Sequence, residues 1–333
     1  MKEEWKAIRN VLPDCVKGKF DDIVEQRVLG ASKHISMIGE MIEAIALQGG
    51  REDKKTALVI EEIKKVTGFF MATRGEASQA VNNAILLMIH DIDSYTDCEI
   101  DSAVHKIIET KNNYLLTSGE AIEKVAEYAG VLAKNMKHIF VYDYSSTVEK
   151  FLLGLQKTGS DRIIYIAESR VIDGGVPFIA PCQRAGYQIK FIPDAAILYS
   201  LKNCDAAFMG AETFYPDGTG FNTMGSDIVA LACSYYNIPL YFLTPLIKLD
   251  IRPVYGYRKN LVIKDMKDKI TAGWRGEIQA EEIDFKTPEL IGVDAKFING
   301  YVTEKGIIPA NQMYDISLAY SRYLRGDENE GYI

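Results

Sequence analysis

The sequence of 333 residues lacks the features that identify most metal enzymes and disulfide-rich proteins. It has five cysteines, an odd number, without a Cys-x-x-Cys pair, and four histidines without His-x-x-x-His or His-Glu-x-x-His spacing. Zinc sites and disulfide frameworks depend on such spacings. The sequence therefore predicts neither a disulfide-stabilised fold nor a metal enzyme, and we expect no metal and no cofactor.

Long apolar runs and excess positive charge are also missing. No apolar run reaches about 18 residues, and the first ten residues, MKEEWKAIRN, contain no apolar signal core. Acidic residues outnumber basic ones by 46 to 38, which gives a formal net charge of −8. Such a charge opposes binding to nucleic acid, which needs a basic surface. We expect a cytoplasmic protein that binds no membrane and no nucleic acid, although a small anion held by local donors remains compatible.

Residues 1–130 show helical periodicity almost throughout. Apolar residues recur at spacings of three and four over residues 23–47 and again over residues 54–67 and 77–90. Residues 101–132 continue the pattern and are predicted to form two more helices. The sequence thus predicts a helical domain of five or six helices over residues 1–130.

The pattern changes at His138, where short apolar runs begin to alternate with amphipathic stretches. Ser145-Ser146 is a predicted helix cap, and a last helix is predicted over residues 309–324. This alternation predicts a doubly wound parallel sheet, a Rossmann-like domain, over residues 131–333. The five predicted strands are HIFVYD, RIIYIAES, QIKFIPD, AAFMGAE and PLYFLTP.

Residues 206–245 contain the most informative single stretch. They read as strand, polar glycine-rich loop, helix and strand, which is a βαβ unit of a parallel sheet. Glu212 lies at the end of the first strand, and ligands bind beyond such ends. Asn222 and Thr223 in the loop are candidates to bind a ligand hydroxyl, and a plain turn is the alternative.

Polar side chains follow four of the predicted strands. Asp143, Asp194 and Glu212 each follow one strand, and Glu168 with Arg170 follows another. Because parallel strands end at one edge of the sheet, these groups should converge there. Two close carboxylates can separate their pKa values and serve as acid and base. The alternative is that each carboxylate caps the helix that follows it.

Arg170 is a candidate ligand for a phosphate or a carboxylate. It lies just before Gly174-Gly175 and a predicted helix, and a guanidinium there suits such an anion. The alternative is a structural ion pair with Asp173 or Asp194.

Two fragments of the helical half are candidate anion sites. Gly30, Ala31 and Ser32 interrupt an apolar helical pattern, and Arg74 lies just before another predicted helix. Helix starts of this kind present backbone N–H groups to anions. A plain helix junction is the alternative for each fragment.

These residues resemble a known superfamily. It joins the α, β and δ regulatory subunits of translation initiation factor 2B with methylthioribose-1-phosphate isomerase and archaeal ribose-1,5-bisphosphate isomerase. In the helical half, residues 27–31 look like the family's R-x-R-G-A phosphate segment, and Thr73-Arg74 looks like its S/T-R-P segment. The similar segments of the second half are residues 144–148, 168–170, 193–196, 210–212, 222–226 and 238–241.

The chain departs from the isomerases at the positions that carry their chemistry. They place a cysteine where this chain has Asp143 and an aspartate where it has Glu212. They also carry a lysine at the position of Thr223 and an arginine at that of Leu29. The family's cysteine–aspartate pair is therefore absent, and two cations on the phosphate side are missing.

The resemblance leaves two readings of function. In the first, the protein is an aldose–ketose isomerase acting on a sugar phosphate or related sugar, with Asp143 and Glu212 as the catalytic acid/base pair. In the second, it is a non-catalytic metabolite-sensing or assembly subunit, as the Gly-Ala-Glu sequence at Glu212 suggests. The resemblance also implies a homodimer or larger homo-oligomer. The expected substrate-binding residues are Gly30, Ala31, Ser32, Arg74, Arg170, Asn222 and Thr223.

Overall fold

The computed structural model describes residues 2–28, 30–159, 161–257, 260–276 and 279–327. Within these ranges the chain forms two compact units. The first comprises the residues up to Ala121, Ile247–Leu249 and the residues from Leu318, and the second comprises Ile122–Leu246 and Asp250–Ser317. Each unit has a hydrophobic core of its own.

Helices dominate the first unit, as the periodicity predicts. Their apolar faces meet in one core, where the rings of Phe20, Phe69 and Phe70 lie with centroids 5.4 to 5.6 Å apart. The bounds are α1 Lys2–Val11, α2 Asp14–Val24, α3 Ala31–Arg51, α4 Thr56–Phe70, α5 Gln79–Met88 and α6 Ile100–Leu132, and a π-helical turn, Met71–Gly75, follows α4.

The prediction of two helices over residues 101–132 is wrong, because α6 is one helix of 33 residues. The segment contains Gly119 and no proline. A glycine inside a helix costs only about 1 kcal/mol, whereas proline removes a hydrogen bond and clashes with the preceding turn. The helix therefore continues through Gly119.

The second unit is built on a seven-stranded sheet of order β12-β11-β7-β4-β1-β2-β3. Its neighbouring strands pair in parallel, apart from the antiparallel β11–β12 pair. The predicted class, a helical N-terminal part followed by a mostly parallel α/β sheet, is confirmed. The strands are β1 His138–Tyr142, β2 Ile163–Ala167, β3 Gln188–Ile192, β4 Ala206–Gly210, β5 Thr213–Phe214, β6 Gly220–Thr223, β7 Leu240–Leu243, β8 Ile263–Asp265, β9 Lys286–Pro288, β10 Leu290–Val293, β11 Gly300–Thr303 and β12 Gly306–Ile308.

Helices connect the strands of the parallel sheet. The predicted cap at Ser145-Ser146 is confirmed, since Ser145 precedes the first of these helices and its hydroxyl accepts from the Val148 backbone N–H. Strands β1, β2, β4 and β7 are mainly buried apolar runs, as expected where both faces of a sheet are covered, whereas the edge strand β3 contains Gln188 and Lys190 and is largely exposed. The connecting helices are α7 Ser146–Leu155, α8 Ile179–Arg184, α9 Ile197–Leu201 and α10 Ser226–Tyr236, while α11 Lys267–Thr271 lies between β8 and β9 and α12 Met313–Leu324 follows β12.

The glycine-rich stretch after β4 is a β-hairpin as well as a loop. β5 and β6 pair antiparallel, and β10 extends them into a three-stranded sheet. The hairpin turn includes Gly218, whose φ of +83° and close approach to the Ala310 carbonyl leave no room for a side chain. The turn residues and the short strands gave no clear alternation, so the sequence predicted only a loop.

In the described part of the chain, no helix combines the length and the apolar character needed to cross a membrane.

Candidate active site

The carboxyl ends of β1 and β4 lie side by side at the point where the order of the strands in the sheet reverses. From β1 the chain adds β2 and β3 on one side and then returns to form β4 on the other side of β1. In open parallel sheets, ligands bind at such a switch point. Asp143 directly follows β1, and Glu212 comes two residues after β4. Both predicted catalytic residues therefore lie at this edge.

Asp143 is a buried carboxyl held by uncharged donors. It is 5% exposed, and its φ of +58° lies in the left-handed region. The Thr223 hydroxyl donates to Oδ2 over 2.8 Å, the Ser169 hydroxyl lies 3.4 Å from Oδ1, and the Tyr144 backbone N–H also donates. Burial raises the pKa of Asp143 to about 6, and the charge of Glu212 adds to that rise. This carboxyl can therefore gain or lose a proton near neutral pH.

Glu212 lies in the connection between β4 and the hairpin. It is half-buried, and its backbone N–H donates to the Phe221 carbonyl over 2.8 Å. Just before it, a side chain at Gly210 would collide with Ser145, so glycine is needed there for β4 to pass the start of α7. The backbone of Glu212 is thus fixed on both sides.

The loop after β2 closes against Asp143. A side chain at Gly174 would collide with the Asp143 carboxyl, and one at Gly175 would collide with the Ala167 carbonyl. Ser169 is fully buried with a φ of +48°, and Asp173 has a φ of +57°. With Asp143, three non-glycine residues near this edge adopt the left-handed conformation, a kind of strain that clusters at functional sites.

Asp194, after β3, holds this loop in place. Its carboxylate accepts from the Ser169 backbone N–H over 3.0 Å and from that of Arg170 over 2.9 Å. Burial raises the pKa of Asp194, and the two N–H donors oppose the rise. Asp194, one of the polar residues predicted at the strand ends, therefore stabilises the loop after β2.

The Arg170 guanidinium is exposed and loosely held. It lies 3.4 Å from a Glu168 oxygen and 3.5 Å from the Lys269 carbonyl. These contacts differ from the alternative drawn from the sequence, in which the Arg170 guanidinium forms an ion pair with Asp173 or Asp194. Asp173 pairs with Lys269 at 2.6 Å, and Asp194 contacts only the Arg170 backbone in the bonds described above. The guanidinium is therefore free to turn towards an anion.

Asn222 and Thr223 are the last two residues of β6, and their side chains have different surroundings. The Asn222 residue is 6% exposed, and its amide nitrogen has no partner among the described residues. Buried donors without partners are rare, which makes this amide a candidate for a ligand or a water. The Thr223 hydroxyl is instead bonded to Asp143. Of this predicted pair, only Asn222 keeps a side chain available for substrate.

Tyr142 supports the turn into α10. Its hydroxyl donates to the Met224 carbonyl over 2.6 Å, and Gly225, with a φ of +103°, packs so closely that a side chain would collide with this hydroxyl. Burial raises the pKa of Tyr142, so the phenol stays neutral. The tyrosine fixes the backbone that carries Thr223.

The remaining predicted binding residues belong to the first unit. Gly30, with a φ of +98°, precedes α3, and Ala31 and Ser32 form its first turn. The first N–H groups of a helix have no partner inside it and can bind an anion. Leu29, at the position of the family's arginine, lies outside the described residues.

Arg74 lies in the π-helical turn of the first unit. Its Nε is buried and has no partner among the described residues, and the same holds for the Ser78 hydroxyl. The positive charge of Arg74 lowers the pKa of His34, and burial of the His34 ring lowers that pKa more strongly. The His34 ring bonds the Val28 carbonyl over 2.8 Å. Arg74 thus has donor capacity that the described residues leave unused.

Sequence reasoning missed two polar side chains near the candidate residues. Ser169, which in the sequence is only part of the Glu168–Arg170 motif, is buried against Asp143, and the Ser78 hydroxyl is buried in the first unit. No periodicity marks either one, because each gains its environment from the fold. Among the described residues, no group of His, Cys, Asp and Glu could hold a metal ion.

The comparison with known proteins gives the family. A profile of the initiation factor 2 subunit family, IF-2B, matches residues 31–310. The chain belongs to this family. The match begins at α3 and includes the edge of the sheet where Asp143 lies.

Its relatives include sugar-phosphate isomerases at low identity. A ribose 1,5-bisphosphate isomerase of Pyrococcus furiosus is 22% identical over 278 residues, covering 82% of this chain and 85% of the relative. A 5-deoxyribose 1-phosphate isomerase of Bacillus thuringiensis is 25% identical over 314 residues, covering 89% and 88%. The crystal structure of a 5-methylthioribose 1-phosphate isomerase from Pyrococcus horikoshii shares the fold, with a TM-score of 0.71 at 16% identity, covering 96% of this chain and 87% of that one.

Proposed function

We propose that this member of the initiation factor 2 subunit family is an aldose–ketose isomerase acting on a sugar phosphate or related sugar. The observation that carries the proposal is the Asp143 carboxyl, which is buried at the switch point with a pKa of about 6. An acid/base catalyst works best with a pKa near the operating pH. The isomerase names of the relatives support the same reaction class.

Asp143 and Glu212 divide the proton transfers. Moving a carbonyl between C1 and C2 requires that a base take a proton from carbon and that an acid protonate the carbonyl oxygen. Glu212 is the base in this scheme and Asp143 is the acid. Burial first, and the negative charge of Glu212 in addition, raise the pKa of Asp143, so that a fraction of the molecules carries a proton there near neutral pH. The resulting enediol gives the product when a proton is added to the former carbonyl carbon and the hydroxyl on the neighbouring carbon, which lost its hydrogen, gives up its proton to become the new carbonyl. No redox cofactor is consumed.

Substrate contacts are proposed within each unit separately. In the second unit, the exposed Arg170 guanidinium suits a phosphate oxygen, and the Asn222 amide nitrogen, which lacks a partner within the described ranges, suits a phosphate or hydroxyl oxygen. Thr223 contributes through Asp143, to which its hydroxyl is bonded. In the first unit, an anion suits the α3 N-terminus and the free Nε of Arg74. The α3 residues are Gly30, Ala31 and Ser32.

A second candidate is a non-catalytic metabolite-sensing or assembly subunit. The Gly-Ala-Glu sequence ending at Glu212 favours it, because that sequence resembles the regulatory subunits of initiation factor 2B. The family name points to the same group of proteins. In this alternative a ligand changes the oligomer without being consumed. A homodimer or larger homo-oligomer is proposed in both cases.

A proton NMR time course in D2O separates the two candidates. Pentoses and pentose phosphates are incubated with the wild-type protein and with Glu212→Gln. We expect conversion, or solvent deuterium at C1 or C2, with a rate about 100-fold lower in Glu212→Gln because its amide cannot take the proton. Glu127→Gln, an exposed position on α6, serves as the matched control with full activity.

The same experiment can reject the isomerase. Line broadening of a sugar without exchange or conversion for any compound would favour the sensing subunit. Sedimentation with and without that sugar then shows whether it changes the oligomer. Equal exchange rates for wild type and Glu212→Gln would remove Glu212 from the proton transfer.

A further inference from the structure

Thr223 is placed so that its hydroxyl serves Asp143. The residue is 2% exposed, and its Oγ1 lies 2.8 Å from the Asp143 Oδ2. Its backbone pairs with Leu290 of β10, and its carbonyl accepts from the Ser226 hydroxyl at the start of α10 over 2.8 Å. Two elements therefore fix the direction of this hydroxyl.

A hydroxyl is a suitable partner for a carboxyl that changes its protonation state. It can donate to a carboxylate, and after rotation it can accept from a carboxylic acid. A backbone N–H or an ammonium group can only donate. The donors to Asp143 are two hydroxyls, from Thr223 and Ser169, and the backbone N–H of Tyr144. The Thr223 contact is the shorter of the two hydroxyl contacts and the better defined.

We propose that Thr223 is a positioning residue, which holds the Asp143 carboxyl in one orientation in both protonation states and fixes the pH range in which it exchanges its proton. This inference rests on the proposed isomerase function. It assigns Thr223 a task through Asp143 rather than the substrate contact expected from the sequence.

The protonation of Asp143 also depends on the charged groups around it. Burial raises the pKa of Asp143 most, and the charge of Glu212, in the connection after β4, also favours the protonated form. The Thr223 hydrogen bond acts in the opposite direction, because it favours the carboxylate. A substitution at Thr223 leaves the charges unchanged. The titratable groups on the surrounding elements are Tyr142 on β1, Glu149 on α7, Glu168, Arg170 and Asp173 after β2, Asp194 after β3, Asp227 on α10 and Lys269 on α11.

The test reads the Asp143 carboxyl directly. The protein is labelled with aspartate carrying 13C in the side-chain carboxyl, and the Asp143 signal is assigned by its absence in Asp143→Asn. Thr223→Val keeps the shape and removes the hydroxyl, so we expect its titration midpoint about one pH unit above that of the wild type. Thr223→Ser keeps the hydroxyl and should titrate like the wild type. Thr223→Ala replaces the valine variant should the latter not fold.

The outcomes distinguish this inference from the proposed function. A midpoint raised in the valine variant and restored in the serine variant supports positioning, even without turnover of any sugar. In an active enzyme the pH profile of solvent exchange should move upwards by the same amount. The inference would be overturned if Thr223→Val had the same titration midpoint as the wild type, or if Thr223→Val and Thr223→Ser shifted the midpoint equally. Turnover of a sugar would not change that conclusion.

Discussion

Asp143→Asn should lower the turnover of the proposed isomerase by about 1000-fold, within the range that general acid–base groups contribute. Asparagine has the same shape as aspartate and can accept from Thr223, and its amide can donate to Ser169, which lies 3.4 Å from Oδ1 in the wild type. It cannot give up a proton to a substrate oxygen. The expected loss is therefore in kcat, with KM little changed, since the shape of the site is kept.

A matched substitution at the other edge of the sheet controls for the loss of charge. The Asp205 carboxylate precedes β4 and accepts from the backbone N–H groups of Lys137 and His138, at the start of β1. Asp205→Asn should keep full turnover, although it removes the same charge. Steady-state kinetics on the substrate found by NMR provide the comparison. Similar activity in Asp143→Asn and wild type would remove Asp143 from the chemistry.

The position of Asp143 was predictable because its surroundings are local. A buried apolar run, a polar residue and a serine cap define the end of β1 and the start of α7, and each feature is visible in the sequence. Parallel pairing then brings the polar residues at the strand ends to one edge. The fold class followed from the same alternation of strands and helices.

The partners of Asp143 were not predictable from these patterns. Thr223 lies 80 residues away along the chain and reaches Asp143 only through the hairpin of β5 and β6, which the glycine-rich sequence concealed. Ser169 turns towards the carboxyl because its backbone is left-handed, a conformation that Asp194 and the glycines of the loop stabilise. Such contacts arise from tertiary packing, which overrides local preference.

In the helical half, too, one feature was predictable from the sequence and another was not. The start of α3 at Gly30 follows from a glycine in an apolar helical pattern, and the structure places its φ at +98°. The π-helical turn that holds Arg74 has no such signature, because a π-turn inserts one residue into an otherwise regular helix. The buried Nε of Arg74, which has no partner in the part of the chain that the structure describes, is therefore a feature of the fold alone.

Raising the pH should destabilise the wild-type protein relative to Asp143→Asn. The pKa of Asp143 is about 6 in the folded chain, whereas in the unfolded chain, where the carboxyl is not buried, it has its ordinary value of 3.8. Between these values the folded state binds more protons, so the free energy of unfolding falls as the pH rises. The contribution of Asp143 is fully present below pH 3.8 and is lost by about pH 6. Between pH 4.5 and 7.5 we expect the variant to gain about 2 kcal/mol over the wild type.

This effect needs a probe in the unit that contains Asp143. The chain has two tryptophans, Trp5 in the first unit and Trp274 in the second. In a Trp5→Phe background, the fluorescence of Trp274 follows the unfolding of the second unit in denaturant, with and without Asp143→Asn. Taking the difference between the two curves at each pH cancels the other titrating groups. A difference independent of pH would mean that Asp143 ionises as easily in the folded chain as in water, and the acid assigned to the isomerase reaction would then be lost at neutral pH.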